Sequence, residues 1–177
     1  MRTQFLVILL TFLITQSYSQ DFGEIKLDSK LQVKYSDTLR NIGERLSGKW
    51  KYLGKRAKES LIDTIGVSFT DDKKTIITVE NGIVFEIENG KRKKANYFYE
   101  ITYNFKNGKG FYSSEEKYFN KEITSISSCQ PIPELVYYKG NFGILFYEMV
   151  GESFRKIREL TPERLIFENG KEYQKMK

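Results

Sequence analysis

Tyr97-Phe-Tyr-Glu-Ile-Thr-Tyr-Asn-Phe105, followed by Lys106, Asn107-Gly108 and Lys109-Gly-Phe-Tyr112, decides the fold of this chain. Tyr97, Tyr99, Ile101, Tyr103 and Phe105 recur at every second position, with Glu100, Thr102 and Asn104 between them; Phe98 alone breaks the alternation. A period of two marks a strand with one buried face, because successive side chains of an extended chain point to opposite sides. Asn107-Gly108 then supplies a turn, since both residues tolerate the positive φ that a two-residue type I′ hairpin needs. The arrangement repeats. Asn81-Gly82 separates Thr75-Ile-Ile-Thr-Val79 from Ile83-Val-Phe-Glu-Ile87, Asn89-Gly90 follows, and Asn169-Gly170 joins Arg164-Leu-Ile-Phe-Glu168 to the stretch from Lys171 onward. Four such dipeptides between alternating runs predict consecutive antiparallel hairpins.

Outward from that core, Trp50 and Tyr52 alternate with Lys49 and Lys51, and Ile83, Phe85 and Ile87 alternate with Val84, Glu86 and Glu88. Apolar runs at 135–138, 142–150, 154–160 and 165–167 bring the count to eight to ten strands. An open sheet of that size leaves two long edges, which closure removes. The expected fold is therefore all-β, an antiparallel up-and-down meander closed into an eight- to ten-stranded barrel; a flattened two-sheet form is the alternative. A short helix should precede it. Leu39, Ile42 and Leu46 line one helical face, Ser36 can cap it and Asp37 suits its first turn, although Gly43 weakens it. The polar stretch 20–35 reads as an extended N-terminal segment, and 36–177 as a single barrel domain.

The first nineteen residues read as an address rather than structure. Met1-Arg2-Thr3-Gln4 is a charged start, residues 5–14 (FLVILLTFLI) are apolar except for Thr11, and Ser17 and Ser19 precede a cut before Gln20. That is the layout of a secretory signal peptide, and its apolar run is too short to span a bilayer. With no Cys at the cut and a lone Cys129, neither lipid anchoring nor an internal disulfide is expected. The expectation is a soluble exported protein of the periplasm or the medium.

Composition narrows the chemistry. The chain has 177 residues, 29 Lys plus Arg against 23 Asp plus Glu, one Cys and no His. No His-based triad, His-ligated metal site or CxxC pair can be assembled. Glu115-Glu116 and Asp71-Asp72 are adjacent carboxylates that face opposite ways on a strand, Glu86, Glu88 and Glu100 fall on outward faces, and Cys129 has no His to activate it. No catalytic site, metal or cofactor is expected. Lys91-Arg92-Lys93-Lys94 follows a turn: it is either contact with an anionic surface or envelope protein, or a solvated tip that protects an edge. Nothing supports nucleic-acid binding.

Leu46-Ser47-Gly48-Lys49-Trp50, after the short helix and at the head of the first strand, resembles the Gly-x-Trp signature of the lipocalin-like (calycin-type) family, in its shorter bacterial form. The resemblance implies that Gly48 permits close backbone approach at one barrel end, that Trp50 plugs that end, and that a late basic residue, Arg158 or Arg164, stacks over the Trp. The family's second motif has no clear match, and no amphipathic helix follows the last strand. By resemblance, the function is to hold a small hydrophobic or amphipathic ligand inside the barrel, against Tyr52, Phe85, Tyr97, Tyr99, Tyr103 and Phe146. The other reading is a fully packed barrel used as a protein-interaction or envelope-assembly module.

Overall fold

In the computed structural model, which describes residues 25–70, 73–119, 132–148 and 151–177, the backbone signs of the turns match the dipeptides closely. Asn81, Asn89 and Asn107 have φ of 49°, 50° and 54°, each followed by a glycine at positive φ, as a type I′ turn requires. At 169–170 only Gly170 is left-handed (φ 85°), and its N–H donates to the Phe167 carbonyl at 2.9 Å, making a three-residue loop instead. Residues 1–24, on which the expected signal peptide falls, Asp71-Asp72 and Cys129 lie outside the described residues.

Among the described residues two helices precede the strands, α1 (Ser29–Lys34) and α2 (Ser36–Leu46). Twelve strands follow: β1 (Gly48–Ala57), β2 (Ser60–Thr70), β3 (Lys73–Glu80), β4 (Ile83–Glu88), β5 (Lys91–Lys94), β6 (Tyr97–Lys106), β7 (Lys109–Tyr118), β8 (Ile132–Tyr138), β9 (Asn141–Glu148), β10 (Gly151–Leu160), β11 (Arg164–Phe167) and β12 (Lys171–Lys175). β1 and β6 through β12 pair in order, and β12 returns to β1 with Trp50 opposite Lys175 and Tyr52 opposite Tyr173. Eight strands thus close into an antiparallel barrel. β7 and β8 form its thinnest described seam, with Lys109 opposite Glu134 and the Leu135 N–H on the Gly108 carbonyl at 2.7 Å.

β2 to β5 leave this ring. β1 pairs with β6 through residues 48–51, bends at a bulge between Tyr52 and Gly54, and then pairs with β2 through Arg56 and Ala57. Because β12 occupies one edge of β1, β6 and β2 must share the other. The result is a four-stranded side sheet. Its inner face buries Val79 and Val84 in the barrel's core cluster, and the Gly82 N–H at its β3–β4 turn donates to the Leu53 carbonyl at 2.8 Å.

α2 closes one end of the barrel with Leu39, Gly43 and Leu46 buried. A side chain at Gly43 would meet Leu135 and Phe105 at about 3 Å, so the glycine that weakened the helix on propensity is what lets α2 lie against β6 and β8. The helix begins at Ser36 without a side-chain cap, contrary to expectation; Asp37 instead pairs with Arg40 at 2.8 Å. The stretch read as extended also contains a helix. Asp28 caps α1 by accepting from the Lys30 and Leu31 N–H groups, and Gln32 holds α1 to β8 through both its amide atoms on the Tyr137 backbone.

Candidate functional site

Alternation around the ring sorts the side chains that face the barrel interior into layers. Nearest α2 the interior is solid: Trp50, Leu46, Ile144 and Leu165 are fully buried. The Trp50 indole N–H donates to the Leu46 carbonyl at 2.7 Å, and Ser47 links α2 to β6 by donating to the Gly43 carbonyl and accepting from the Phe105 N–H. The cation over Trp50 is Lys175, whose Nζ stands 4.5 Å from the ring centre. Neither expected arginine does this. Arg158 neighbours the inward Ile157 and so points outside, exposed, while Arg164 is held on the outer face by Glu172, at 2.6 Å. Gly48 has φ +123°, and its bare Cα leaves the space that the Lys175 chain fills, since a Cβ there would meet Lys175 Cε at 3.1 Å.

The middle layer holds Tyr103 and Phe146, both fully buried, with Tyr112 in ring contact with each. The Tyr103 hydroxyl meets no hydrogen-bond partner among the described residues. Burial, with Tyr173 and Tyr112 adding to it, pushes its pKa well above the ordinary value. A buried hydroxyl left unpaired costs about 1–3 kcal/mol. The Arg155 guanidinium covers the Phe146 face at 4.1 Å.

Toward the end opposite α2 the interior-facing Tyr99, Glu116, Arg155 and Lys171 are only half-buried, as is Tyr112. The barrel's base is plugged, and its other end, the cup, gathers half-buried aromatic and polar side chains. Glu116 accepts from the Tyr99 hydroxyl at 3.0 Å and the Tyr118 hydroxyl at 3.2 Å, and Tyr97 sits edge-on to Tyr99. Burial, then the Glu116 and Glu86 carboxylates, raise the Tyr97 pKa to about 12. Across the mouth the Tyr52 hydroxyl donates to Asp63 of β2, and the Tyr52 ring packs on Tyr173 at 4.9 Å. Lys171 Nζ lies 5.8 Å from the Tyr52 ring centre, its pKa lowered by burial and partly restored by Asp63.

Five of the six residues expected to face the ligand, Tyr52, Tyr97, Tyr99, Tyr103 and Phe146, come together in this cup. Phe85 does not. It shares a face with Ile83 and Ile87 as its alternation suggests, but β4 belongs to the side sheet, whose barrel-facing side carries Val84 and Glu86; Phe85 lies outside, under Arg92 at 3.6 Å. Glu86 accordingly faces the mouth tyrosines instead of solvent. Glu100 is on the barrel exterior as expected yet buried, 3.7 Å from Lys49. Lys91 to Lys94 form not a tip but the exposed edge strand β5. Asp63, Glu116, Arg155, Lys171 and Tyr173 are mouth residues that periodicity missed: each is a lone polar or aromatic residue whose inward direction depends on register.

Among the described residues no group of three or more His, Cys, Asp or Glu side chains is placed to hold a metal, and no helix is long and apolar enough to cross a membrane. No protein-family model matches the chain, and no curated protein or solved structure is similar enough to it to rank as a relative.

Proposed function

We propose that this is an exported, non-enzymatic, lipocalin-like binding protein that takes a small amphipathic molecule into the mouth of its barrel. The observation that supports this reading is the unpaired Tyr103 hydroxyl at the floor of a cup whose upper wall is half-exposed. Ligand sites combine apolar walls with a few convergent polar groups, and Phe146, Tyr112 and Tyr173 with Tyr103, Arg155 and Lys171 are such a set. The apolar part of a guest would pack on the rings, and an acceptor atom would take a hydrogen bond from the Tyr103 hydroxyl. The absence of His from the whole chain favours holding over chemistry.

The test is native mass spectrometry of the chain purified from its exported fraction, followed by titration with anilinonaphthalene sulfonate. The expected result is extra mass that disappears on denaturation, and a fluorescent complex that Tyr103→Phe weakens roughly fivefold while leaving stability equal or higher, because the variant removes a buried unpaired hydroxyl. A bare mass with no probe binding overturns the reading. That outcome would favour the packed barrel acting as an interaction module, for which the filled base around Trp50 is the supporting observation.

A further inference from the structure

The side sheet turns a second face away from the barrel. Residues paired directly across its strands share that face: Val67 with Ile76, Ile76 with Ile87, and Ile62 with Glu80 and then Ile83. Phe69 continues the row and is 74% exposed, with Val67 at 46%, Ile62 at 44% and Ile83 at 37%. A contiguous apolar patch of this kind on one sheet face marks an interaction surface more often than scattered exposed leucines do.

Its charges say what it fits. The same register places Lys74, Arg92 and Lys94 on this face, opposite Phe69, Ile87 and Phe85 respectively. Among the described residues its one carboxylate, Glu80, is already engaged by Arg92, which also stacks on Phe85. Lys91 and Lys93 point to the other side of β5, opposite Glu88 and Glu86. The patch is therefore apolar at its centre and cationic along its rim. It is also broad, presented by four adjacent strands. On the opposite side the sheet is fixed, because Val79 and Val84 are 1% exposed against the barrel.

We infer that this face docks on an anionic lipid bilayer, with Phe69, Val67 and Ile62 entering the interfacial layer and Lys74, Arg92 and Lys94 reaching lipid phosphates. Apolar side chains ringed by long basic ones are the surface chemistry of interfacial binding, in which the cationic heads stay at the level of the phosphates while their stems cover the apolar rim. The inference uses no residue of the cup and stands whether or not the cup holds a ligand.

Sedimentation with sucrose-loaded vesicles tests it, comparing phosphatidylcholine alone with phosphatidylcholine plus phosphatidylglycerol. The native chain should pellet with the anionic vesicles and not with the neutral ones. Phe69→Asp and the double variant Lys74→Glu, Lys94→Glu should each weaken binding about tenfold or more, with unchanged melting temperatures, since all three side chains are exposed. Val67→Ser is a second apolar probe with the same expected direction. The inference is overturned if the native chain ignores anionic vesicles, or if Phe69→Asp and Val67→Ser bind as well as the native chain. It is also overturned if the patch covers a second copy of the chain, seen as a concentration-dependent dimer that Phe69→Asp dissolves without any vesicle binding.

Discussion

The Lys175 ammonium lies 4.5 Å from the centre of the Trp50 ring while donating to the Arg45 and Ser47 carbonyls at 2.9 and 2.5 Å. One side chain thus joins β12 to β1 and to the C-terminal end of α2, where exposed carbonyls and the helix dipole favour a cation.

Replacing it should be felt across the barrel base. Lys175→Met keeps the stem but loses the cation, and is expected to cost about 1–3 kcal/mol in urea denaturation. Arg158→Ala, at an exposed position outside the barrel, should change stability by no more than about 0.5 kcal/mol.

Gly43→Ala separates helix propensity from packing. Propensity alone would make it stabilising by up to about 1 kcal/mol. The methyl would press on Leu135 and Phe105, with Phe105 Cβ at 3.1 Å, so the expected net effect is a loss of about 1–2 kcal/mol, read from the denaturation midpoint.

Glu172 sits on the outer wall at the barrel's closure, 4% exposed, between Arg56 at 2.7 Å and Arg164 at 2.6 Å. Burial alone would raise its pKa, but hydrogen bonds from both guanidiniums outweigh that and hold it below the ordinary 4.5. A carboxyl whose pKa is lower when folded contributes stability that is fully present above the unfolded value and is lost as pH falls through the folded one. Stability should therefore decline on acidification from pH 4.5 downward, and Glu172→Gln should flatten that limb while lowering stability at neutral pH.

Tyr52 and Asp63 tie the side sheet to the barrel mouth. A double-mutant cycle of Tyr52→Phe and Asp63→Asn should give a coupling of about 1–2 kcal/mol, as for a hydrogen bond to a charged acceptor. Faster amide exchange confined to β2 and β3 in either single variant would identify the sheet as the element released.

Strand content and hairpin sense were legible because both are local. Asn107-Gly108 carries its own turn, and Tyr97 to Phe105 carries its own alternation. The limits of that logic appear at Lys139-Gly140, which makes the same left-handed pair (φ 47° and 82°) with a lysine no composition rule would choose, and at Asn169, where an identical dipeptide turns differently because the loop is one residue longer. Helix α1 was missed because its face buries no side chain, leaving no apolar period to read.

What was not legible is everything set by pairing between distant strands. Phe85 was read as facing inward and Glu86 outward, and the structure reverses both, since nothing within 75–94 reveals that β1 abandons β6 for β2. The cation over Trp50 was sought among arginines, whereas geometry selects whichever basic residue lies opposite Trp50 in β12, and that is Lys175. Tyr52, Tyr97, Tyr99, Tyr103 and Phe146 could be placed on an inner face because tyrosine and phenylalanine announce themselves by bulk. Asp63, Glu116 and Lys171 are single charges among many.

The pairing of β1 with β12 has a consequence for how the molecule comes into being. Lys175 contacts a carbonyl 130 positions earlier in the chain, so β1 cannot complete its edge until β12 has been synthesised. Until then Trp50 lacks its cover, and the edge of β1 that β12 will occupy stays open to any other strand it meets. Closing so long a loop is slow compared with forming hairpins such as β6–β7. Assembly is thus expected to be late and all at once after translation, and a cell making this protein would have to keep a nascent, half-built sheet apart from its neighbours.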